Sequence, residues 1–248
     1  MQMAGRMEEN IILEKLGMFG MTRQEANIYL CLYQNGELTG YEVAKQTGIS
    51  RSNVYSGLSA LAEMGAAYLL EGNTSKYMAV PIEEFCENKI RNLKRDKEYL
   101  TEHIPAVKVQ EIGYITITGS ANIRNKIIDM IRQAKCRVYL SASASLIEEL
   151  QEDLLAIIAK GHKLVLITDG EMKNQKLSEG SICYLGEDKQ QNVRLIIDSS
   201  YALTGELTGS KSDTCLYTGQ ENFIRIFKDA LRNEMRLIEL TEGEKHHE

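Results

Sequence analysis

Apolar residues between positions 8 and 80 recur at helical spacing in short runs, each opened by a hydroxyl residue and closed by glycine. Thr22-Arg-Gln-Glu25 reads as a capping box, in which the threonine hydroxyl takes a first-turn N–H and the glutamate reaches back. Ala26, Tyr29, Leu30 and Tyr33 follow on a helical period. Thr39-Gly-Tyr-Glu42 repeats the signature and predicts a short helix to about Thr47, stopped by Gly48 in a left-handed conformation. Ser50 is expected to cap a third helix that runs to about Met64 and ends at Gly65. Ala67–Glu71 and Lys76–Val80 are extended runs joined by Gly72-Asn-Thr-Ser75, which predicts a hairpin, and Pro81 closes the module.

Residues 82–107 are highly charged, with apolar positions at Cys86, Ile90, Leu93, Leu100, Ile104 and Val107. With Lys97 in the gap the spacing alternates 4 and 3, the heptad seam of a short coiled coil. Ile90, Leu93, Leu100 and Ile104 are therefore candidate dimerisation residues; the alternative is an amphipathic helix packed on its own subunit. Strand-like and helix-like runs then alternate. Tyr114–Thr118, Arg137–Ser141, Lys163–Thr168, Val193–Asp198, Tyr201–Thr204 and Cys215–Thr218 are expected strands, and Ala121–Ala134, Leu146–Lys160 and Gln220–Leu237 expected helices. Such alternation predicts an α/β domain with a largely parallel sheet, and the weakly patterned stretch 169–192 reads as loop-rich.

Composition narrows the classes of function. No apolar run is long enough to span a membrane, and the first 15 residues carry Glu8, Glu9 and Glu14 in place of a signal core, so a cytoplasmic protein is expected. The five cysteines are scattered and the four histidines share no ligand spacing with them, which argues against a disulfide framework or a zinc site; no cofactor is expected. His246–His247 reads as part of a disordered tail. The net charge of −6 argues against generic attraction to nucleic acid. Residues 1–80 hold six basic side chains against eight acidic ones, so a single copy is expected to bind DNA weakly.

A helix-turn-helix needs a small residue where two steeply crossing helices touch and a glycine at the turn. Ala44 and Gly48 supply these, and Val43, Ile49, Val54 and Leu58 supply a shared core. With the hairpin behind it, the module reads as a winged helix-turn-helix. Residues 10–80, and Ile49-Ser-Arg-Ser-Asn-Val-Tyr55 in particular, resemble the N-terminal domain of the TrmB family of transcription regulators. Ala66–Ala67 departs from the Leu-Val-like pair more usual there. The candidate readers stand at the start of the recognition helix. Arg51 suits guanine or phosphate, Asn53 suits adenine, and Ser50, Ser52 and Ser56 suit phosphates. Tyr55 is divided between a packing role and a DNA contact, Lys45 and Gln46 are placed on the DNA backbone, and Asn73, Thr74, Ser75 and Lys76 on the wing.

The C-terminal part resembles the phospholipase D-like domain found behind many TrmB-type modules, on Gln191-Asn-Val-Arg-Leu-Ile-Ile-Asp198 and the following Ser-Ser-Tyr-Ala-Leu-Thr-Gly205. The resemblance implies His-x-Lys-x4-Asp here, with a phosphoryl-accepting histidine and a phosphate-holding lysine. This chain has Gln191 and Val193 at those positions and keeps Asp198. Glutamine cannot carry the phosphoryl group and valine cannot neutralise it. The expected fold is therefore mixed α+β and α/β: a winged helix-turn-helix over 8–80, a linker or coiled-coil helix over 81–110, a phospholipase D-like α/β sensor over 111–240, and a tail over 241–248. The expected function is a dimeric regulator bound to a double-stranded DNA operator, with no catalytic residues. Ser141, Ser143, Thr168, Asp169 and Asp198 are the candidate site for a small effector, a sugar or phosphorylated metabolite. The alternative use of Ser120 and Ser145 is as helix caps, and that of Asp198 is as a turn residue. The competing function is a phosphodiesterase or nuclease, for which His162 is the sole histidine of that domain outside the tail.

Overall fold

The computed structural model describes residues 2–72, 74–105 and 113–245, and the chain divides into two units, Met1–Val107 and Lys108–Glu248. Asn73 of the expected wing, Val107 of the expected seam and the histidine pair of the tail lie outside the described residues.

The first unit runs α1 (Gln2–Met18), α2 (Arg23–Asn35), β1 (Leu38–Thr39), α3 (Gly40–Thr47), α4 (Arg51–Glu63), β2 (Ala67–Leu70), β3 (Lys76–Ala79) and α5 (Ile82–His103). Both capping boxes form. Thr22 Oγ1 accepts from the Glu25 amide at 3.2 Å while Glu25 Oε2 accepts from the Thr22 amide at 2.8 Å. Thr39 and Glu42 do the same at 3.3 and 2.8 Å. Gly48 turns the chain at φ 71° between α3 and α4. Ser50 occupies the cap position of α4, but its hydroxyl caps no amide and lies 3.4 Å from Ser52 Oγ, contrary to the expected side-chain cap. The hairpin β2–β3 gains β1 on its other edge, a strand too short to read from sequence.

Ile28, Tyr29, Leu32, Val43, Val54, Leu58 and Leu61 close the core of this unit, and Phe85 at the start of α5 joins them. The core is tight where α2 meets α4: a Cβ on Gly57 would lie 2.6 Å from Ile28 Cδ1. Beyond Phe85 the apolar stripe of α5 is exposed, with Ile90 at 43 %, Leu93 at 57 %, Leu100 at 51 % and Ile104 at 62 %.

The second unit runs β4 (Tyr114–Thr118), α6 (Ser120–Gln133), β5 (Arg137–Ser141), α7 (Ala144–Glu149), α8 (Gln151–Ala159), β6 (Lys163–Thr168), α9 (Gln175–Gly180), β7 (Ile182–Leu185), β8 (Asn192–Ile197), β9 (Tyr201–Glu206), β10 (Thr214–Thr218) and α10 (Glu221–Lys245). Its seven strands lie in the order β4-β10-β9-β8-β5-β6-β7. The expected largely parallel sheet is corrected. Only β5–β6 and β6–β7 are parallel, and the other four pairings are antiparallel. Loop length sets two of the four, since β8, β9 and β10 are joined by turns too short for a helical crossover. The expected helix 146–160 is two helices meeting at Leu150. The stretch expected to be loop-rich holds α9 and the edge strand β7, and α10 continues through Lys245, into the expected tail. One sheet face packs on α6 and α8, the other on α10.

Asp198 does not belong with the other expected effector residues. Ser141 faces Arg194 at one end of the β5–β8 pair, whereas Asp198 follows Ile197 at the other. With φ 51° it turns back on the start of β5, and its carboxylate accepts from the amides of Lys135, Cys136 and Arg137 at 2.8–3.0 Å and from Cys136 Sγ at 3.2 Å. Burial pushes its pKa up, but these four donors outweigh burial and pull it down to about 2. Asp198 is a staple between the β8–β9 turn and the strand next to it.

A carboxyl lowered on folding stabilises the protein above its unfolded pKa, about 3.9, and loses that stabilisation as pH falls through its folded value. Asp198→Asn keeps a residue tolerant of positive φ and removes the charge. It is expected to lose about 1–2 kcal/mol at neutral pH in chemical denaturation and to level the decline in stability between pH ~4 and ~2. Gly57→Ala is expected to destabilise the first unit by about 1–3 kcal/mol, read as a lower Tm, because fully buried Ile28 has no room to yield.

Candidate nucleic-acid interface and sensor site

The sequence of α4 alternates one buried and one wet side. Val54, Gly57, Leu58 and Leu61 face the core, while Arg51, Ser52, Asn53, Tyr55, Ser56 and Ser59 are exposed. The first turn holds no acidic residue, and the first carboxylate along the helix is Glu63 at its C-terminal end. The positive end of the helix dipole is therefore uncompensated beside Arg51 and three serines, the condition for holding phosphate. The guanidinium of Arg51 lies over the Tyr41 ring of α3, 4.5 Å from its centroid. That stacking fixes the plane of the fork while leaving its edge exposed. Tyr41 was missed in the sequence, because an isolated aromatic on α3 carries no sign that Arg51 will reach it.

Other expected readers divide. Lys45 is exposed at the end of α3, next to the turn. Gln46 is also exposed; its Oε1 accepts from Cys31 Sγ at 3.3 Å, and it lines a cavity with Glu8 and Glu9. Tyr55 is 50 % exposed, but its ring covers the start of α3, where a Cβ on Gly40 would lie 2.6 Å from the ring. Its packing role is thus visible, with Cε1 and Cζ the ring atoms nearest Gly40. Thr74 and Ser75 are exposed in the hairpin loop, and Lys76 pairs with Glu37 at 3.6 Å.

In the second unit the expected hydroxyl cluster is mostly occupied by structure. Ser143 caps α7, accepting from Leu146 N at 3.4 Å, and lies 3.0 Å from Ser145 Oγ. The α6 cap is Gly119, and Ser120 Oγ instead accepts from Arg124, so neither Ser120 nor Ser145 is the cap expected. Asp169 accepts from the amides of Ala144 and Lys189, each at 2.9 Å. Burial raises its pKa, but these backbone donors and the Lys189 charge bring it below the usual carboxylate range. Thr168 Oγ1 is buried and has no partner among the described residues.

Ser141 leads to a group the sequence did not flag. Arg194 Nη2 donates to Ser141 Oγ at 3.1 Å and to Glu234 Oε2 at 2.6 Å, and Lys189 Nζ donates to Glu234 Oε1 at 2.5 Å. Glu234 comes from α10, so the three charges tie that helix to the sheet. They line a cavity of about 680 Å³ with Asn192, Thr204 and apolar Leu185, Leu237 and Ile238. Arg194 in the middle of the apolar run Val193–Ile197 was the available signal. Gln191 lines a second cavity, of about 250 Å³, with Arg124, Ser143 and Ser145. Val193, where the resemblance implies lysine, is fully buried in the core. His162 stands just before β6, next to the Arg137–Lys163 pairing and so at the Asp198 end of the sheet, away from both cavities.

Comparison with known proteins places both units. The family model described as "Sugar-specific transcriptional regulator TrmB" matches residues 16–83, and that described as "Transcriptional regulator TrmB, EBD N-terminal subdomain" matches 113–233. The chain is 26 % identical to the uncharacterized protein YrhO of Bacillus subtilis over 255 residues, covering 98 % of this chain and 90 % of that one. It is 29 % identical over 163 residues to the HTH-type sugar sensing transcriptional regulator TrmBL1 of Pyrococcus furiosus, covering 61 % of this chain and 48 % of the relative. The solved structure of TrmBL2, an archaeal chromatin protein, aligns over 91 % of this chain and 97 % of that one at 19 % identity, with a TM-score of 0.45. No helix among the described residues is long and apolar enough to cross a membrane. With one TrmB model on the helix-turn-helix unit and another on the sheet unit, the chain belongs to the TrmB family and is a DNA-binding transcription regulator.

Proposed function

We propose that this regulator binds its operator as a dimer joined through α5, and that its second unit is a sensor without phosphodiesterase activity. The observation that carries the DNA-contacting part is the acid-free, serine-rich N-terminal half of α4 with Arg51 oriented on Tyr41. Arg51, Ser52, Asn53 and Ser56 are the reading surface, with Ser50, Tyr55, Lys45, Thr74, Ser75 and Lys76 at its margins. Gln46 supports the turn from behind. The dimer is supported by the exposed stripe Ile90, Leu93, Leu100 and Ile104, which has the heptad spacing of a two-helix seam. Pairing answers the charge problem: two net-acidic modules, each with a small cationic reading surface, double the phosphate contacts on one operator, at half-sites about 34–36 Å apart.

The sensor reading rests on what replaces the catalytic pair. Gln191 has no nucleophilic nitrogen, Val193 is buried among apolar residues, and Asp198 is committed to three backbone amides. The effector is a sugar or a phosphorylated metabolite, in keeping with the sugar-specific description of the family. Its site is the cavity beside Ser141, lined by Arg194, Lys189, Glu234, Asn192 and Thr204. Paired charged groups with neutral amide and hydroxyl neighbours suit the vicinal hydroxyls of a polyol.

Gel-shift titration of the DNA upstream of the protein's own gene tests the reading surface. Arg51→Ala is expected to weaken binding roughly tenfold or more, as loss of a base or phosphate fork does. Equal binding by wild type and variant would remove α4 as the reader. Sedimentation velocity tests the seam: Leu93→Lys, at an exposed position, is expected to shift the chain from dimer towards monomer and weaken operator binding in parallel.

A further inference from the structure

The outward face of α10 carries a second heptad seam. Ile226, Ala230, Asn233, Leu237 and Leu240 follow one another at spacings of 4, 3, 4 and 3. All five are exposed, Ile226 at 63 %, Leu237 at 65 % and Leu240 at 67 %. The opposite face of the same helix, with Ile224, Phe227, Leu231 and Ile238, packs against the sheet. A surface helix that buries one apolar face and repeats a narrower one towards solvent has a pattern that packing inside its own unit does not use up, although Leu237 also borders the cavity at Glu234. The lone polar residue, Asn233, sits at the centre of the seam, as a register-setting residue does in a coiled coil.

We propose that this face pairs, antiparallel, with α10 of a second copy of the chain. The charges beside the seam choose the occupant and its direction. The flanking positions on the open side are Asp229 and Arg236. Among the described residues Asp229 pairs with Arg232 alone, one turn away at 3.0 Å with both side chains 55 % exposed, and Arg236 forms no ion pair. In an antiparallel pair that joins Ile226 to Leu237 of the other copy and Ala230 to Asn233, Asp229 of each helix lies beside Arg236 of its partner. The two-fold makes that pair twice. A shift of one heptad sets Arg236 against Arg236, and a parallel pair sets Asp229 opposite Glu234, so both alternatives place like charges together. Glu234 is in addition bound to Lys189 and Arg194 on the inner side. The helix that closes the candidate sensor cavity is thus the helix that meets the second copy. A ligand that displaces Glu234 would move the contact between copies.

This inference rests on the dimer proposed above but not on its α5 seam, and the two are separable in the full-length protein by sedimentation equilibrium. Ile226→Lys is expected to raise the dimer dissociation constant roughly tenfold or more, since it puts a charge into the seam. Asp229→Arg is expected to weaken the dimer, and Asp229→Arg with Arg236→Asp to restore it. Far-UV circular dichroism on each variant checks that α10 is intact, and the restoring pair excludes simple misfolding. A dimer broken by Leu93→Lys but untouched by Ile226→Lys would overturn the α10 pairing and keep α5. Dissociation by Ile226→Lys alone would do the reverse. Failure of the charge exchange to restore a dimer weakened by Asp229→Arg would overturn the antiparallel register.

Discussion

An acidic chain that grips DNA must keep its carboxylates away from the phosphates, and the arrangement of the first unit follows from that constraint. Glu25 and Glu42 are turned back into capping boxes, Glu37 is paired with Lys76, and Glu63 stands at the far end of the recognition helix beside Ser59. Glu8 and Glu9 lie by the cavity at Gln46, behind the turn. What remains around the start of α4 is one guanidinium, a row of small hydroxyls and the helix dipole. Such a surface attracts phosphate modestly and leaves affinity to the number of copies engaged.

The second unit applies the opposite economy, gathering charge where it ties elements together. At one end of the β5–β8 pair, Asp198 takes three amides and a thiol and fixes a turn. At the other, Glu234 bridges Lys189 and Arg194 and fixes α10 to the sheet. The cavity next to the first cluster, about 500 Å³, reaches it through Ser199 and is otherwise lined by α10, whereas the cavity at the second is lined by all three of its charged groups. A fixed carboxylate stapling backbone donors is a structural device, whereas a carboxylate shared by two side-chain cations can be exchanged for a ligand's oxygens. That difference in partners moves the proposed sensor site away from Asp198 and towards Arg194.

Much of the first unit was legible because its signals are local. Capping boxes at Thr22 and Thr39, the left-handed stop at Gly48 and the hairpin depend on residues within a few positions of one another, and the structure has them as read. Ser50 is the exception: a serine at a cap position can bond its amide or a neighbouring hydroxyl, and Ser52 two residues on offers the second choice. In the second unit the strands were legible and their directions were not. Val193–Ile197 reads as a buried strand whichever way its neighbours run; the short β8–β9 and β9–β10 connections set two antiparallel pairings, and the long-range pairings β5–β8 and β4–β10 made the sheet chiefly antiparallel. β7 was hidden because a four-residue edge strand next to glycine looks like loop.

The sequence by itself determined α4 and its polar face, the heptad stripe on α5, and Gln191 and Val193 at the positions where the resemblance implies histidine and lysine. These are properties of residue type and spacing along one chain segment. The tertiary structure alone decided which polar residues are free. Asp198 and Asp169 are consumed by amides distant in sequence, Gln46 by Cys31, and Arg194 is brought to Glu234 across 40 residues of chain. The reason is physical: a buried polar group must find a partner, and in a folded chain that partner is chosen by which strands and helices meet, not by which residues are neighbours in sequence.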